Sequence, residues 1–134
     1  MLYLIDTNVC VMYLNGRSPS IRDRILSLPP KDIVVSSVVK AELFYGAMRS
    51  KNSTRTLQKQ QEFLAQYESL PFNDEAAIIF AEIRAQLAAQ GTPIGAYDLQ
   101  IAAIALANNL ILVTHNTKEF SRIPQLQLED WESE

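Results

Sequence analysis

Cysteine is nearly absent from this sequence of 134 residues, and long apolar runs and an excess of positive charge are missing. The single cysteine, Cys10, excludes an intrachain disulfide and a cysteine metal cluster. No apolar run approaches the roughly 18 residues that a membrane span needs, and residues 1–6 lack the basic and long apolar stretches of a signal peptide. The net charge of −3 argues against a surface that attracts nucleic acid from every side. We therefore expect a soluble, cytoplasmic protein that makes no membrane contact.

The remaining composition is typical of one globular domain, expected over residues 1–134. Hydrophobic residues make up 48% of the chain and charged residues 20%, which suits a packed core rather than a disordered tail. Short apolar runs alternate with longer helical patterns, and this alternation predicts an α/β layer sandwich with a mainly parallel central sheet. The predicted strands lie at 2–5, 33–35, 69–72, 110–114 and 126–128, and the predicted helices at 9–14, 19–28, 38–50, 52–67, 74–90 and 96–107, with Asp74 as the cap of the longest helix.

Acidic residues occur where predicted strands end and helices begin. Asp6 directly follows the first strand, Glu42 lies in the first turns of the helix after the second strand, and Asp98 lies in the first turn of the alanine-rich helix. Taken singly, Asp6 could simply cap a helix, and the other two could complement a helix dipole. Because ligands of open parallel sheets bind outside the carboxyl ends of the strands, we expect the three carboxylates to converge.

The polar loop after the clearest strand offers a fourth group. Asn116 could orient a water or a carboxylate, and Glu119 could add a negative charge, although either could be only a turn or helix-start residue. Carboxylate oxygens suit hard cations such as Mg²⁺ or Mn²⁺. Without a cation, this many acids would repel one another and an incoming phosphate. The combination therefore predicts metal-assisted phosphodiester hydrolysis.

Two further features concern binding surfaces. Between residues 43 and 61 the chain carries four cations and no acid, which indicates either a solvated helix face or a phosphate-tracking rim beside the acidic centre. These cations are Arg49, Lys51, Arg55 and Lys59. The same helices carry more apolar surface than one small buried face needs, which indicates a homodimer interface or a partner groove. The apolar residues are Leu43, Phe44, Tyr45, Met48, Phe63 and Tyr67.

The single histidine and the single tryptophan also have predicted environments. His115, the one histidine, follows a strand in a turn, and we expect it to face solvent or nucleic acid rather than to catalyse. Trp131 is expected to pack the C-terminal segment onto the body of the domain.

Several short segments occur in a fixed order over essentially the whole chain. They are Leu4-Ile5-Asp6-Thr7-Asn8, Ser36-Ser37 with Ala41-Glu42-Leu43 and Gly46, Ile94-Gly95 with Asp98-Leu99-Gln100-Ile101-Ala102-Ala103, Leu112-Val113-Thr114 with Asn116 and Glu119-Phe120, and Asp130-Trp131. No single segment is specific, but in this order they resemble the PIN-domain nucleases and, among them, the VapC toxins of bacterial toxin–antitoxin pairs.

The resemblance implies a three-layer α/β/α sandwich of the PIN type, with a mainly parallel central sheet. It also implies a Mg²⁺- or Mn²⁺-dependent endoribonuclease that inhibits translation by cutting a structured RNA. Its Thr-x-Asn-x-x-Glu-Phe segment is similar to that of toxins that cut initiator transfer RNA. The resemblance also implies a homodimer, a VapB-like antitoxin that covers the site, and operator DNA bound only through the antitoxin complex.

Carried over by position, the resemblance gives the acids separate roles. Asp6 and Asp98 correspond to the principal metal carboxylates, and Glu42 corresponds to the third acid. Many relatives have an aspartate where Asn116 stands, so the resemblance implies Glu119 as the fourth acid. The residues that correspond to supporting polar groups are Thr7 and Asn8.

Other classes of protein stay open. A phosphatase of the haloacid dehalogenase type needs a second aspartate two residues after Asp6, where Asn8 stands. A receiver domain needs an acidic pair before its acceptor aspartate, and no such pair precedes Asp6. A non-catalytic α/β binding domain would leave the strand-end acids unexplained. A housekeeping PIN nuclease differs from a toxin in having no antitoxin, and a neighbouring gene for a small DNA-binding partner would decide between them.

Overall fold

A five-stranded parallel sheet forms the centre of the molecule. The structure is a computed structural model that describes residues 1–132, so the last two residues of the predicted domain 1–134 lie outside the described residues. The strands are β1 (Tyr3–Ile5), β2 (Ile33–Ser36), β3 (Glu68–Leu70), β4 (Ile111–Val113) and β5 (Leu128–Glu129). Their order is β3-β2-β1-β4-β5, and every neighbouring pair is parallel.

Helices cover both faces of this sheet. They are α1 (Thr7–Leu14), α2 (Pro19–Ser27), α3 (Ser37–Met48), α4 (Ser53–Leu64), α5 (Asp74–Gln90), α6 (Ala96–Ala107) and α7 (Thr117–Phe120). Successive strand residues point to opposite faces of a sheet, and the neighbours Leu4 and Ile5, like Leu112 and Val113, are all fully buried. Both faces are therefore packed, which confirms the predicted α/β/α layers. Among residues 1–132, no helix has the length and apolar character to cross a bilayer.

The predicted elements differ from the structure mainly at their ends. Helix α1 begins at Thr7, two residues earlier than predicted, because Asp6 caps it: Asp6 Oδ1 accepts a hydrogen bond of 3.1 Å from the amide of Val9. The prediction that Asp74 caps α5 is wrong, since Asn73 accepts the capping bond and Asp74 is the first helical residue. No helix was predicted at 117–120, because the single turn of α7, with four residues, is too short to show a helical period.

The apolar residues of α3 and α4 divide between core and surface. Leu43, Phe63 and Tyr67 are buried, and the last two rings meet edge to face at 5.3 Å. The expectation that they enlarge an exposed surface is therefore wrong. Phe44 is half-buried, and Tyr45 and Met48 remain 63% and 61% exposed, so three of the six predicted residues leave apolar surface, all of them on α3.

The C-terminal segment packs against the sheet, as predicted. Trp131 is buried, its ring meets that of Tyr3 at 5.2 Å, and its Nε1–H donates to Glu129. His115 is more than half exposed, and its Nδ1 lies 3.0 Å from Asp130 Oδ2 and 3.4 Å from Glu132 Oε2. The histidine therefore faces solvent and contacts the C-terminal segment.

Two glycines make opposite predictions for stability. Gly91 ends α5 with φ +70°, a left-handed conformation that costs about 1–2 kcal/mol for other residues. Gly46 lies inside α3, where an added Cβ meets nothing within 4 Å. We expect Gly91→Ala to lower the free energy of unfolding by about 1 kcal/mol and Gly46→Ala to raise it by about 0.5–1 kcal/mol. Urea denaturation measures both, and equal effects of the two changes would contradict this assignment.

Candidate active site

The strand order sets the position of the candidate site. The connections from β1 to β2 and from β4 to β5 run outward in opposite directions, so the sheet has its topological switch point between β1 and β4. Ligands bind at such a point, outside the carboxyl ends of the strands. Asp6 follows β1 there, and its amide donates a 3.1 Å hydrogen bond to the carbonyl of Val113, the last residue of β4. The first predicted acid thus lies at this switch point.

Asp6 is held firmly in a nearly dry environment. It is 7% exposed, and its carboxylate accepts hydrogen bonds from the amide of Val9 and from the hydroxyl of Thr114. Burial raises the pKa of Asp6, these hydrogen bonds oppose the rise, and the nearby charge of Glu42 adds to it. Asp6 therefore caps α1, as the simpler interpretation held, and also faces another carboxylate.

Glu42 is fixed by a residue far away in the sequence. Thr7 Oγ1 donates a hydrogen bond of 2.6 Å to Glu42 Oε1, across a separation of 35 residues. This bond joins the first turn of α1 to α3 and orients the carboxylate of Glu42. Thr7 thus makes the supporting contact that the resemblance implied, whereas Asn8 is exposed.

Glu119 is held through both of its carboxylate oxygens. Asn116 Nδ2 donates to Glu119 Oε2 at 3.1 Å, and the amide of Gly95 donates to Glu119 Oε1 at 3.3 Å. The amide of Asn116 in turn donates to Thr114 Oγ1 at 3.0 Å, so a chain of hydrogen bonds runs from Glu119 to Asp6. An aspartate at position 116 would place a like charge against Glu119. The neutral Asn116 supplies a donor instead.

Asp98 experiences the charge of all three other acids. Burial and then the charges of Glu119, Asp6 and Glu42 raise the pKa of Asp98 from 3.8 to about 6. Within residues 1–132, Arg24 pairs with Glu129, and His115 contacts Asp130 and Glu132. None of these pairs includes the four acids of the site. The site is therefore strongly negative.

An all-oxygen donor set of this charge fits a hard divalent cation better than a soft one. In the part of the chain that the structure describes, however, no three acidic, histidine or cysteine side chains are close enough together to enclose a metal ion. The carboxylates share an electrostatic field without forming a closed coordination shell.

Sequence reasoning missed two groups of the site. Thr114 is fully buried and hydrogen-bonds Asp6, and the backbone amide of Gly95 binds Glu119. The signal for Thr114 was a polar residue at the end of the clearest strand. A backbone donor such as Gly95 leaves no signal in residue types.

The four predicted cations are all exposed. The guanidinium of Arg49 lies 5.2 Å from the ring centroid of Tyr45, on the side of α3 that carries Glu42. Lys59 instead lines a groove between α1, α3 and α4. Lys51 and Arg55 lie between them along the chain. Exposure suits both a solvated face and a phosphate-binding rim.

The groove between α1, α3 and α4 has a volume of about 330 Å³ and a largely apolar lining. Val11, Leu14 and Leu43 contribute to that lining, together with Gln60. Gln60 is only 7% exposed, and its Oε1 has no hydrogen-bond partner among residues 1–132. Such a buried, unpaired acceptor is costly and requires an explanation.

Comparison with known proteins identifies the family. The PIN domain profile matches residues 3–126, nearly the full chain. The chain therefore belongs to the PIN-domain family, and the resemblance seen in the sequence is confirmed. Nucleases of this family generally depend on a divalent cation.

Within the family, the relatives are VapC ribonucleases. The tRNA(fMet)-specific endonuclease VapC of Salmonella typhimurium is 39% identical over 129 residues, which are 96% of this chain and 97% of that protein. Ribonuclease VapC2 of Rickettsia felis is 40% identical over 133 residues, 98% of this chain and 99% of that protein. The crystal structure of DNA-bound VapBC from Salmonella typhimurium matches with a TM-score of 0.92 and 39% identity, covering 98% and 99% of the two chains. The chain is thus a ribonuclease of the VapC type.

The repulsion at Asp98 predicts a pH-dependent gain of stability when its charge is removed. The pKa of Asp98 is raised, so its ionised form destabilises the folded state above pH about 6, and this penalty disappears below its ordinary pKa of 3.8. In EDTA at pH about 7, Asp98→Asn should raise the free energy of unfolding by about 1–2 kcal/mol after allowance for solvent screening. The exposed Asp23→Asn is the matched control. Urea denaturation at several pH values measures the gain, and a gain that persists undiminished in acid would contradict the electrostatic cause.

Proposed function

We propose that this ribonuclease is the toxin of a toxin–antitoxin pair and cleaves transfer RNA, with initiator transfer RNA as its substrate. The supporting observation is the set of four mutually repelling carboxylates at the switch point of the sheet, in a chain about 40% identical to VapC ribonucleases. Two relatives carry the name tRNA(fMet)-specific endonuclease. A housekeeping nuclease without antitoxin is less well supported, because the matched solved structures include complexes of the VapBC type.

In this proposal Asp6 and Asp98 hold a Mg²⁺ ion, with Mn²⁺ as a substitute, and Glu42 and Glu119 complete the site. Bound there, the cation would lower the pKa of a water and neutralise the phosphate that it attacks. The four carboxylates offer only oxygen donors, and no ion pair within residues 1–132 balances their charge. Their oxygen chemistry and their unbalanced charge support this assignment.

The surrounding residues keep the acids in fixed positions before RNA binds. Thr7 orients Glu42, while Asn116 and Gly95 hold both oxygens of Glu119. A carboxylate fixed in this way can accept a hydrogen bond from the attacking water and align it with the scissile bond, without a rearrangement during the reaction. The 2′-hydroxyl of RNA is not needed as nucleophile, so preference for RNA must come from shape and from loop recognition.

Two neutral substitutions test the metal site. Asp6→Asn and Asp98→Asn each remove one metal-binding charge, and each should lower the rate of initiator transfer RNA cleavage in Mg²⁺ by at least about 100-fold. EDTA should abolish cleavage by the unmodified protein, and Asp23→Asn should cleave normally. Gel analysis of end-labelled RNA measures the rates. Full activity in either site variant would refute the assignment, and sequencing of the new RNA ends would identify the bond that is cut.

We further propose that a VapB-like antitoxin binds in the groove between α1, α3 and α4. The lining of the groove is largely apolar, its edge carries the exposed Lys59, and Val11 within it is 40% exposed. A net charge of −3 disfavours direct binding to DNA, so operator DNA is contacted through the antitoxin. The homodimer implied by the resemblance stays a prediction.

The groove predicts separate effects on stability and on antitoxin binding. Gln60→Met keeps the length of the side chain but removes the buried, unpaired acceptor, so the free energy of unfolding should rise by about 1 kcal/mol. Val11 lines the groove and is 40% exposed, so Val11→Asp places a charge in the apolar contact and should weaken antitoxin binding by at least about 10-fold. Gln58→Met, on the exposed side of α4, is the matched control for both. Urea denaturation measures stability and isothermal titration calorimetry with purified antitoxin measures binding, and unchanged affinity of Val11→Asp would exclude the groove from the contact.

A further inference from the structure

A second cavity opens directly at the carboxylate site. Its volume is about 330 Å³, and its lining consists of Ala41, Glu42, Tyr45 and Tyr97. This volume lies near the lower end of the range of about 300–1,000 Å³ that is typical of small-molecule sites. One of the four acids thus forms part of a cavity that also has two aromatic rings in its lining.

Both rings are unusually open to solvent. Tyr45 is 63% and Tyr97 is 61% exposed, although aromatic side chains normally contribute to cores and interfaces. Each ring belongs to an element that carries an acid of the site. Tyr45 lies three residues after Glu42 on α3, and Tyr97 directly precedes Asp98 on α6.

A cation continues the same face of α3. Residues three or four apart on a helix are neighbours, so Glu42, Tyr45 and Arg49 follow one another along α3. The guanidinium of Arg49 lies 5.2 Å from the ring centroid of Tyr45 and is exposed. Guanidinium groups pair well with phosphate oxygens. The face therefore presents an acid, an aromatic ring and a phosphate-binding group in sequence.

This order of groups matches the parts of a nucleotide chain. We propose that Tyr45 and Tyr97 are positioning residues that stack on an unpaired base beside the scissile phosphate, while Arg49 contacts the next phosphate. The proposal rests on the proposed function, since the acids must act on that phosphate. Aromatic rings stack on any base, and the bases of a paired helix are not available for such stacking. The cavity thus selects RNA whose cleavage point is single-stranded.

A protein partner is the alternative use of exposed tyrosines. A protein interface on this part of α3 would also cover Met48, which is 61% exposed and lies three residues beyond Tyr45. Met48 does not line the cavity, whereas Glu42 does. The lining therefore favours RNA, and Met48 distinguishes the two uses experimentally.

The test compares removal and conservative replacement of each ring. Tyr45→Ala and Tyr97→Ala should each raise KM for initiator transfer RNA by about 5- to 100-fold, the usual effect of losing one base-stacking ring, with a smaller change in kcat. Tyr45→Phe and Tyr97→Phe keep the ring and should restore KM. Met48→Ala removes an exposed apolar side chain from the same helix and should cleave normally. Steady-state kinetics on end-labelled RNA measure these values.

RNA binding measured without cleavage separates this inference from the proposed function. In an Asp98→Asn background, fluorescence anisotropy with a labelled single-stranded RNA should show the same 5- to 100-fold loss for each alanine variant. Unchanged KM and binding in both alanine variants would overturn the inference while leaving the proposed nuclease intact. A wild-type protein that binds RNA through the tyrosines but never cleaves it would refute the proposed function alone. If Tyr45→Ala and Met48→Ala instead both shift the oligomeric state in light scattering, the surface is a protein interface and the inference is wrong.

Discussion

Repulsion among four carboxylates is the interaction on which the rest of the site depends. Asp98 lies in the field of Asp6, Glu42 and Glu119, in surroundings that are dry enough to raise its pKa to about 6. The charges of Asp6 and Asp98 would be more stable in open water, because burial raises the pKa of both. The fold keeps them together because the chain reverses its winding direction between β1 and β4, where the carboxyl ends of neighbouring strands leave a crevice.

Hydrogen bonds orient Asp6, Glu42 and Glu119 without neutralising them. Thr7, Thr114, Asn116 and the amide of Gly95 all donate to a carboxylate, and all of these donors are uncharged. They orient the oxygens and leave the negative charge in place. A charged donor such as lysine would instead neutralise the carboxylate that it contacts and so compete with a cation. The stability lost at the site is supplied elsewhere, by strands whose residues are buried on both faces.

The sequence contained more information about the acids than about their partners. Asp6 could be placed because a short apolar run ends at it, and parallel strands bring their ends to one edge. The contact between Thr7 and Glu42 spans 35 residues and depends on how α1 and α3 pack, which no local pattern records. The same limit explains α3: Leu43 and Tyr45 are both apolar and close in sequence, yet packing buries one and exposes the other. At the start of α5, Asn73 and Asp74 are both residue types that cap helices, so residue type alone does not show that Asn73 accepts the capping bond.

Asn116 shows how a departure from the pattern of related nucleases can suit the charge of the site. An aspartate there would bring a fifth negative charge beside Glu119 and would offer no donor to it. The amide donates to Glu119 instead, and its backbone connects to Thr114 and so to Asp6. With four acids rather than five, a single divalent cation balances half of the full negative charge. The remaining charge would still oppose a phosphate, which explains why a neighbouring cation such as Arg49, beside the cavity at Glu42, is valuable at this edge of the site.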